Sequence, residues 1–351
     1  MPPSQQGRQA IATMGPTRAL LWLSFGSPER PEDIWPFLER VVAGRGVPRD
    51  RLAIVHDQYL ATGGSSPLNA LNRTLIERTR AAFDAADIDL PIVFGNRNWD
   101  PLVDEAVKEL GRLGATDVLV FATSAYGSYS GCRQYREDVE RTNPPFTWTK
   151  VPPFAGHPRF LAAQREILAS FLATHDLDPE HTFVVATAHS IPVAMAANSQ
   201  YQRQLAEVRA ALNQVARTYG LVVEEAYQSR SGDPRTPWLE PDVGDAIDRA
   251  ASERTLADVV CIPIGFLSDH QEVRYDLDIL ARERAEARGA RFWRLETIGE
   301  HGPIPEIVTD FTQAWLEGRD LRSLLPSEPA LCTGTCCQPL HARPSRSVSG
   351  A

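Results

Sequence analysis

Apolar runs of strand length alternate with helical patterns along the chain, and this alternation constrains the fold more than any other feature. The clearest runs are residues 19–25, 91–94, 117–122, 182–188, 221–226 and 258–265, with a weaker one at residues 291–295. Runs that are apolar throughout indicate strands buried on both faces, and the helices between them supply the crossovers that parallel strands need. The sequence therefore predicts an α/β fold in which parallel sheets are flanked by helices.

Two segments of the chain resemble each other and predict an internal duplication. Residues 100–107 and 240–247 share an acidic residue, a proline and the start of a helical pattern, and each segment leads into a strand that begins Asp-Val. The match predicts two flavodoxin-like, or chelatase-like, halves, and convergent strand–helix patterning is the alternative. The predicted parts are a disordered extension (1–18), an N-terminal lobe (19–165), a C-terminal lobe (166–330) and a cysteine-rich tail (331–351).

The composition argues against several classes of function. A formal net charge of −9 does not fit a nucleic-acid binder, which needs clustered Lys and Arg to displace counterions from phosphates. No stretch approaches the roughly 18 uninterrupted apolar residues of a membrane-spanning helix. The first 18 residues contain no apolar segment of the kind found in secretory signals. We therefore expect a soluble cytoplasmic protein.

The segments that follow the predicted strands matter most for function, because open parallel sheets bind ligands beyond the carboxyl ends of their strands. These segments are rich in polar and aromatic residues, and none contains a G-x-G-x-x-G or G-x-x-x-x-G-K-[ST] phosphate loop. Nucleotide binding is therefore not expected.

Residues 268–276 form an acidic segment between the last long apolar run and a helical pattern. Residues four apart share one face of a helix, so Glu272 and Asp276 would form a ladder of carboxylates, with Asp269 one turn earlier. Like charges in a ladder repel unless protons or cations pass along it, which suggests metal or proton traffic. The alternative is a solvated first turn whose acids complement the helix dipole.

A single histidine, His189, ends the apolar run 182–188 and is followed by Ser-Ile-Pro. An imidazole at the end of a strand can titrate near neutral pH, which suits proton abstraction or metal ligation. The alternative is a hydrogen-bonded structural histidine.

Three motifs in this order resemble the ferrochelatases, which insert ferrous iron into a porphyrin. The motifs are residues 187–192 (Thr-Ala-His-Ser-Ile-Pro), residues 227–229 with 237–239 (Tyr-Gln-Ser with Pro-Trp-Leu), and residues 264–272 (Ile-Gly-Phe-Leu-Ser-Asp-His-Gln-Glu). The resemblance extends back through residues 26–28 and 63–68 and covers about residues 19 to 320.

The resemblance implies that His189 and Glu272 are the catalytic residues and contact the iron from opposite sides of the macrocycle. Asp269 and Asp276 then belong to a proton or metal path, on a helix that the resemblance implies is locally π-wound. Removing two protons from pyrrole nitrogens, which are very weak acids, requires a base and an exit path, and these residues can supply both.

Two further sets of residues are implied to contact the substrate. Aromatic side chains expected to grip the ring are Phe25, Trp99, Tyr126, Tyr129 and Trp238. Polar side chains in the segments that match the propionate-facing loops of the family are Arg45, Ser66, Asn69, Ser128, Ser130 and Tyr135. Ordinary core filling is the alternative for the aromatic residues. Phe25 stands where one bacterial branch of the family has tyrosine, so a hydroxyl ligand is absent at this position.

Three cysteines lie close together in the C-terminal tail, at positions 332, 336 and 337. A fourth thiolate would complete a metal site, and Cys132, in a polar loop, is a better donor than Cys261, which lies in an apolar run. The spacing fits zinc and a [2Fe–2S] cluster equally well. The tail resembles that of ferrochelatases that hold a [2Fe–2S] cluster with three C-terminal cysteines and one internal one, so we expect this cofactor on Cys132, Cys332, Cys336 and Cys337.

The expected function is a ferrochelatase for haem synthesis. We expect coproporphyrin III as the substrate, because residues 40–65 do not form an apolar segment that would face a membrane, and this fits a soluble, more polar porphyrin. The alternatives are a ferrochelatase for protoporphyrin IX, a non-catalytic carrier of haem or iron, and a cobalt chelatase for a corrin precursor. We expect a monomer that makes transient contacts with other enzymes of the haem pathway.

Overall fold

The computed structural model describes residues 17–44, 46–231, 235–326 and 336–339, which contain two four-stranded parallel sheets. The first sheet has the order β2-β1-β3-β4 and the second the order β6-β5-β7-β8. The strands are β1 (Arg18–Ser24), β2 (Ile92–Asn96), β3 (Asp117–Ala122), β4 (Thr147–Lys150), β5 (Thr182–His189), β6 (Val223–Gln228), β7 (Asp258–Ile262) and β8 (Arg291–Arg294). The predicted α/β fold with two parallel-sheet halves is confirmed. The sequence did not reveal β4, because its residues, Thr-Trp-Thr-Lys, lie half-exposed at a sheet edge.

Helices cover both faces of each sheet. They are α1 (Ile34–Val41), α2 (Arg49–Ala61), α3 (Leu68–Ala85), α4 (Val103–Arg112), α5 (Gln134–Arg141), α6 (Pro158–Thr174), α7 (Val193–Ala197), α8 (Tyr201–Ala216), α9 (Val243–Glu253), α10 (Gln271–Val273), α11 (Arg282–Ala287), α12 (Ile298–His301) and α13 (Ile304–Leu316). Two segments are π-helical, Tyr129–Arg133 and Arg274–Ala281. No helix within the described ranges is long and apolar enough to cross a membrane.

The two halves repeat each other in detail. After the second strand of each sheet, the chain folds back and forms the same backbone hydrogen bond, from Asn96 N–H to Pro101 O (2.7 Å) in one half and from Tyr227 N–H to Pro241 O (2.9 Å) in the other. A π-helical segment follows the third strand in both halves. These equivalences and the identical strand orders support the predicted duplication.

The predicted boundaries of the parts differ from the positions of the elements. The division between residues 165 and 166 falls inside α6, because a repeat relates equivalent positions without marking where one half ends. Strand β1 begins at Arg18, the last residue of the predicted extension. Residues 1–16 and most of the tail, including Cys332, lie outside the described residues.

Both faces of β1 are buried, which explains its continuous apolar sequence. Leu20 and Trp22 face a large apolar cluster that also contains Val184 and Ala186 of β5, whereas Leu21 and Leu23 face a separate cluster beneath α4. Each fully buried leucine contributes about 1.5–3 kcal/mol to folding. The large cluster joins the two sheets into one core.

Buried asparagines of α3 hold the loops that follow β1 and β2. Asn72 accepts a hydrogen bond from Trp22 Nε1 (2.8 Å) and donates to Ser24 Oγ (3.0 Å). Asn69 donates to the carbonyl oxygen of Ser27 (3.3 Å) and accepts from Asn96 Nδ2 (3.2 Å). These bonds fix the carboxyl end of the first sheet.

Asn72→Ala should destabilise the protein by about 2–4 kcal/mol, because it leaves the buried Trp22 indole N–H without its partner and opens a small cavity. Urea unfolding followed by tryptophan fluorescence measures this change. Glu77→Ala, on the exposed face of the same helix, is the matched control and should stay within about 0.5 kcal/mol of wild type. Equal stability of the two variants would contradict the structural role of Asn72.

Candidate functional site

The structure brings His189 and Glu272 together at the carboxyl end of the second sheet. His189 is the last residue of β5, and Glu272 lies in α10, which follows β7. His189 Nε2 lies 3.7 Å from Glu272 Oε2, and the two side chains are 28% and 48% exposed, so both remain open to a ligand. An imidazole and a carboxylate this close can exchange a proton or share a metal ion.

A glycine allows this approach. The loop after β7 passes over the end of β5, where Gly265 N–H donates to Thr187 O (3.1 Å). A Cβ atom at Gly265 would lie 2.7 Å from both Cα and Cβ of Ala188, which is closer than carbon atoms can approach. Only glycine lets the loop reach this position and carry Glu272 to His189.

Hydrogen bonds orient the imidazole of His189. Its Nδ1 lies at hydrogen-bond distance from the carbonyl oxygen of Ser190, and a carbonyl can only accept, so Nδ1 carries the proton. The backbone oxygen of His189 accepts from the hydroxyl of Tyr201 (2.8 Å). Nε2 therefore faces Glu272 as the atom that can accept a proton or bind a metal.

The expectation that His189 and Glu272 lie on opposite sides of a macrocycle stays a prediction. A flat ring between two groups needs about 3.5 Å on each side, or about 7 Å in total, whereas the two side chains are 3.7 Å apart. In this structure the two side chains are therefore too close for a flat ring to lie between them, and both can approach a planar ligand from one side.

Glu272 is held at the start of a helix that is locally π-wound, as the resemblance implied. His270 caps this helix, because its Nδ1 accepts from the backbone N–H of Glu272 (3.1 Å). Burial lowers the pKa of His270, which favours the neutral ring that an acceptor requires. The π-helix Arg274–Ala281 follows directly. Sequence reasoning missed His270, because histidine is not among the usual capping residues.

The two other acids of the segment have different surroundings. Asp276 accepts a hydrogen bond from Ser229 Oγ, and burial, with a smaller effect of nearby Glu272, raises the pKa of Asp276 to about 6. Asp269 instead pairs with Arg294 of β8 (2.7 Å). The raised pKa distinguishes Asp276 from Asp269, and a role for either acid in a proton or metal path stays a prediction.

The aromatic residues predicted at the site divide into two groups. Phe25 is 38% exposed, and Trp99 and Trp238 are half-buried. Tyr126 and Tyr129 are buried, and the Tyr126 hydroxyl donates to Ile264 O (2.8 Å) in the other half of the chain. The first three can therefore contact a ligand directly, whereas Tyr126 joins the two halves.

The indole N–H of Trp238 is buried and has no hydrogen-bond partner among the described residues. Trp238 lies opposite Pro192, directly after the segment that carries His189. A buried donor without a partner is costly in a folded protein and indicates a place where a ligand or an ordered water completes the site.

Most of the polar residues predicted to contact the substrate are buried and bonded within the protein. Arg45 lies outside the described residues. Ser130 is half-buried. The four buried positions are Ser66, Asn69, Ser128 and Tyr135, all less than 6% exposed. Asn69 is fully buried, and its amide group bonds to Ser27 and Asn96. Its contact with a substrate stays a prediction.

The remaining three also have partners within the protein. Ser128 Oγ accepts from Gly131 N–H (2.8 Å), and Ser66 Oγ accepts from Leu68 N–H (3.4 Å). Tyr135 lies beneath the guanidinium of Arg97, 4.7 Å from its ring centre. Their contact with a substrate stays a prediction.

Another residue near the site was not predicted from the sequence. Tyr59 of α2 is 7% exposed, and burial, with a further effect of Glu272, raises its pKa well above the usual range, so the phenol stays protonated. No sequence signal marks it, because its spacing within α2 is that of an ordinary core residue.

Cys132, Cys336 and Cys337 lie near one another. Cys132 lies in the π-helix Tyr129–Arg133, and Arg133 Nη1 donates to Cys336 O (3.0 Å), which holds the tail against this helix. A hydrogen bond with Cys336, burial and the nearby Cys132 thiol all raise the pKa of Cys337. Within the described ranges, no three His, Cys, Asp or Glu side chains already form a metal site, and Cys332 lies outside these ranges.

The other internal cysteine has a different environment. Cys261 is fully buried in β7, and burial raises its pKa to about 12, so it stays a thiol. In contrast, Lys150 Nζ lies 3.4 Å from Cys132 Sγ. An ammonium beside a sulfur favours the thiolate, which supports Cys132 over Cys261 as a potential ligand.

The sequence model of the ferrochelatase family matches residues 17–315 of this chain. The chain is 43% identical to the coproporphyrin III ferrochelatase of Nocardia farcinica over 92% of this chain and 96% of that protein. It is 40% identical to the coproporphyrin III ferrochelatase of Mycolicibacterium smegmatis over 90% and 95% of the two chains. The ferrochelatase of Rhodopirellula baltica is 39% identical over 95% and 97%.

Two solved structures share the fold at low sequence identity. CbiX, the terminal enzyme for sirohaem biosynthesis in denitrifying bacteria, is similar with a TM-score of 0.52 and 14% identity, over 85% of this chain and 99% of that chain. SirB from Bacillus subtilis with Fe3+ is similar with a TM-score of 0.52 and 12% identity, over 85% and 95%. These likenesses show a chelatase-like fold.

Asp276→Asn should change how stability depends on pH. Burial keeps the Asp276 carboxyl protonated up to pH about 6 in the folded protein, whereas the unfolded chain releases this proton near pH 4. Wild type therefore loses stability relative to the variant as the pH rises through this interval. The stability of the variant minus that of wild type should be about 1 kcal/mol higher at pH 7.5 than at pH 5.

Urea unfolding at the two pH values measures this difference. Asp84→Asn, at an exposed position of α3, is the control and should show the same small difference at both pH values. A pH-independent difference for Asp276→Asn would contradict the raised pKa.

Proposed function

The chain belongs to the ferrochelatase family, porphyrin metal chelatases of the lyase class, and we propose that it inserts ferrous iron into coproporphyrin III for haem synthesis, at the site lined by His189 and Glu272. The observation that carries this proposal is the pair of side chains itself: an imidazole Nε2 and a carboxylate 3.7 Å apart, partly exposed at the carboxyl end of a parallel sheet.

The reaction exchanges two pyrrole protons for one Fe2+ ion. Pyrrole N–H groups are very weak acids, so the site needs a base that removes these tightly held protons. His189 suits this task, because its Nδ1–H is occupied by Ser190 O and its Nε2 is left as the base. A proton on Nε2 produces an imidazolium beside Glu272, whose carboxylate stabilises that charge. We therefore assign the removal of the pyrrole protons to the face of the porphyrin that lies toward His189 and Glu272.

The protons then need an exit. Asp276 lies four residues beyond Glu272 and is hydrogen-bonded by Ser229 at the end of β6. Its pKa of about 6 means that at neutral pH it is mostly ionised and still close enough to neutrality to take up and release protons. We assign to Glu272 and Asp276 the relay that carries protons away from the porphyrin.

The similar proteins, rather than the polarity of residues 40–65, support coproporphyrin III as the substrate. The expected polar character of residues 40–65 is only partly met, since Ile54 and Leu60 on α2 are 62% and 49% exposed. The relatives from Nocardia farcinica and Mycolicibacterium smegmatis are coproporphyrin III ferrochelatases. Protoporphyrin IX remains the alternative substrate.

A non-catalytic carrier of haem or iron is the alternative of a different class. A carrier binds and releases its cargo without removing pyrrole protons, so it gains nothing from an acid relay. The hydrogen bond from Ser229 to a buried carboxylate next to Glu272 therefore favours the enzyme.

We also propose that Cys132, Cys336 and Cys337, together with Cys332, hold a [2Fe–2S] cluster. The donor set fits, because three of these thiols lie near one another and Lys150 favours the thiolate of Cys132. When bound, such a cluster supplies a cross-link between the tail and the first half and a centre for one-electron transfer. Zinc is the alternative metal for four thiolates.

His189→Ala should lower turnover by about 10²–10⁴, the usual contribution of a general base. The measurement is the initial rate of metalation, followed by absorption, with apo-protein, ferrous iron and coproporphyrin III under anaerobic conditions. His181→Ala, at an exposed histidine paired with Asp178, is the matched control and should keep wild-type turnover. Near-normal turnover of His189→Ala would remove this residue from the mechanism, whereas stoichiometric binding without turnover by wild type would support the carrier.

Cys336→Ser should abolish the red-brown colour expected of a [2Fe–2S] protein, because it removes one of four ligands. Visible absorption and analysis of iron and acid-labile sulfide on the purified protein test this expectation. Cys261→Ala removes a cysteine that lies within the core and should leave the colour and the iron content unchanged. A colourless wild-type protein that contains zinc would overturn the cluster in favour of a zinc site.

A further inference from the structure

Helices α1 and α2 form a small unit with an apolar core of its own. Its buried residues are Ile34, Phe37, Leu38, Leu52 and Tyr59, and they form a cluster separate from those that cover the two sheets. We call these two helices the cap. Apart from edge contacts of Phe37 with Phe25 and Trp99, this core is distinct from the cores of the sheets. The cap can therefore shift relative to the sheets at a smaller cost than an element of the main core.

The ends of α2 have the backbone freedom that such a shift needs. Gly46 before the helix and Gly63 after it have φ values of +64° and +103°, and a Cβ atom at either position would meet nothing within 4 Å. Glycine is therefore required at these positions by backbone conformation rather than by lack of space.

Two hydrogen bonds tie the cap to the helix that carries Glu272. Gln271 Nε2 donates to the backbone oxygen of Gln58 (2.8 Å), and Gln271 Oε1 accepts from Thr62 Oγ1. Gln58 lies in the last turns of α2, and Thr62 follows its end. Gln271 is 5% exposed, so both bonds are shielded from water.

The same end of α2 also approaches the catalytic carboxylate. Tyr59, between the two contact points of Gln271, lies close enough to Glu272 for that charge to raise the pKa of its phenol further. The amide of Gln271 and the carboxylate of Glu272 are adjacent in sequence. A displacement of the cap that pulls on Gln271 therefore moves the backbone of Glu272.

We propose that Gln271 is a positioning residue that couples the cap to Glu272, so that the carboxylate reaches its place beside His189 only when the cap is docked. This inference rests on the proposed function for its catalytic consequence, whereas the coupling itself is a property of the folded protein. Gln271 would thus affect turnover although it contacts neither the porphyrin nor the iron.

Gln271→Met tests the proposal, since methionine keeps the length and helical preference of glutamine and loses both hydrogen bonds. Gln58→Ala is the matched control, because Gln58 contributes only its backbone oxygen to the contact. Thr62→Val, which removes one of the two bonds with little change of shape, is the second variant should Gln271→Met fold poorly.

The first readout is amide hydrogen exchange of the full chain without substrate. In Gln271→Met, exchange in α2 should accelerate about tenfold, the size expected when two hydrogen bonds are lost. Exchange in α8 (Tyr201–Ala216), which packs on the other half, should not change. Unchanged exchange in α2, or equal acceleration in α8, would overturn the coupling.

The second readout is steady-state metalation of coproporphyrin III. A positioning role predicts that kcat falls about tenfold in Gln271→Met, with a smaller decrease in Thr62→Val, while KM changes less than about threefold. Wild-type kcat in Gln271→Met, despite faster exchange in α2, would overturn the link to Glu272. A wild-type protein that metalates no porphyrin would instead refute the proposed function, and the exchange experiment would still decide whether Gln271 holds the cap.

Discussion

Parallel pairing of β5 with β7 is the constraint on which the rest of the site depends. It places Ala186 beside Ile262, so that β5 continues three residues beyond the paired segment and ends at His189. The loop after β7 has to return across this end, and Gly265 permits the close passage. Two groups far apart in sequence therefore meet at 3.7 Å.

The two neighbouring carboxylates of the site, Glu272 and Asp276, reduce the stability of the folded protein. Glu272 and Asp276 repel each other when both are ionised, and the burial of Asp276 disfavours its charge further. The structure offsets part of this cost with Ser229, which donates to Asp276, and with His270, which accepts the backbone N–H of Glu272. A residue chosen for stability alone would not carry a charge at position 276, and this agrees with a role in proton movement.

The sequence predicted the α/β fold and most strands, because these follow from apolar patterning. The strand-end position of His189, the acidic spacing around Glu272 and the family resemblance singled out two residues that the structure places 3.7 Å apart. The sequence did not reveal β4, whose half-exposed residues lack an apolar run, nor the cap contact of Gln271, which depends on how distant helices pack. The resemblance assigned Asn69 and Ser128 to loops that face the substrate, and the sequence did not reveal that both side chains are buried and hydrogen-bonded within the protein. The partners of Asn69 are Ser27 and Asn96, which lie far from it in sequence, and a linear pattern does not show such contacts.

The hydrogen bond from Tyr126 to Ile264 has a consequence for how a bulky planar molecule reaches the site. It joins the loops at the carboxyl ends of the two sheets, above a core that already runs through both halves. Separation of the halves, as in hinged binding proteins, would break this bond and expose that core. Entry and exit of a planar ligand therefore depend on local movement around the site, while the shared core of the two halves stays closed.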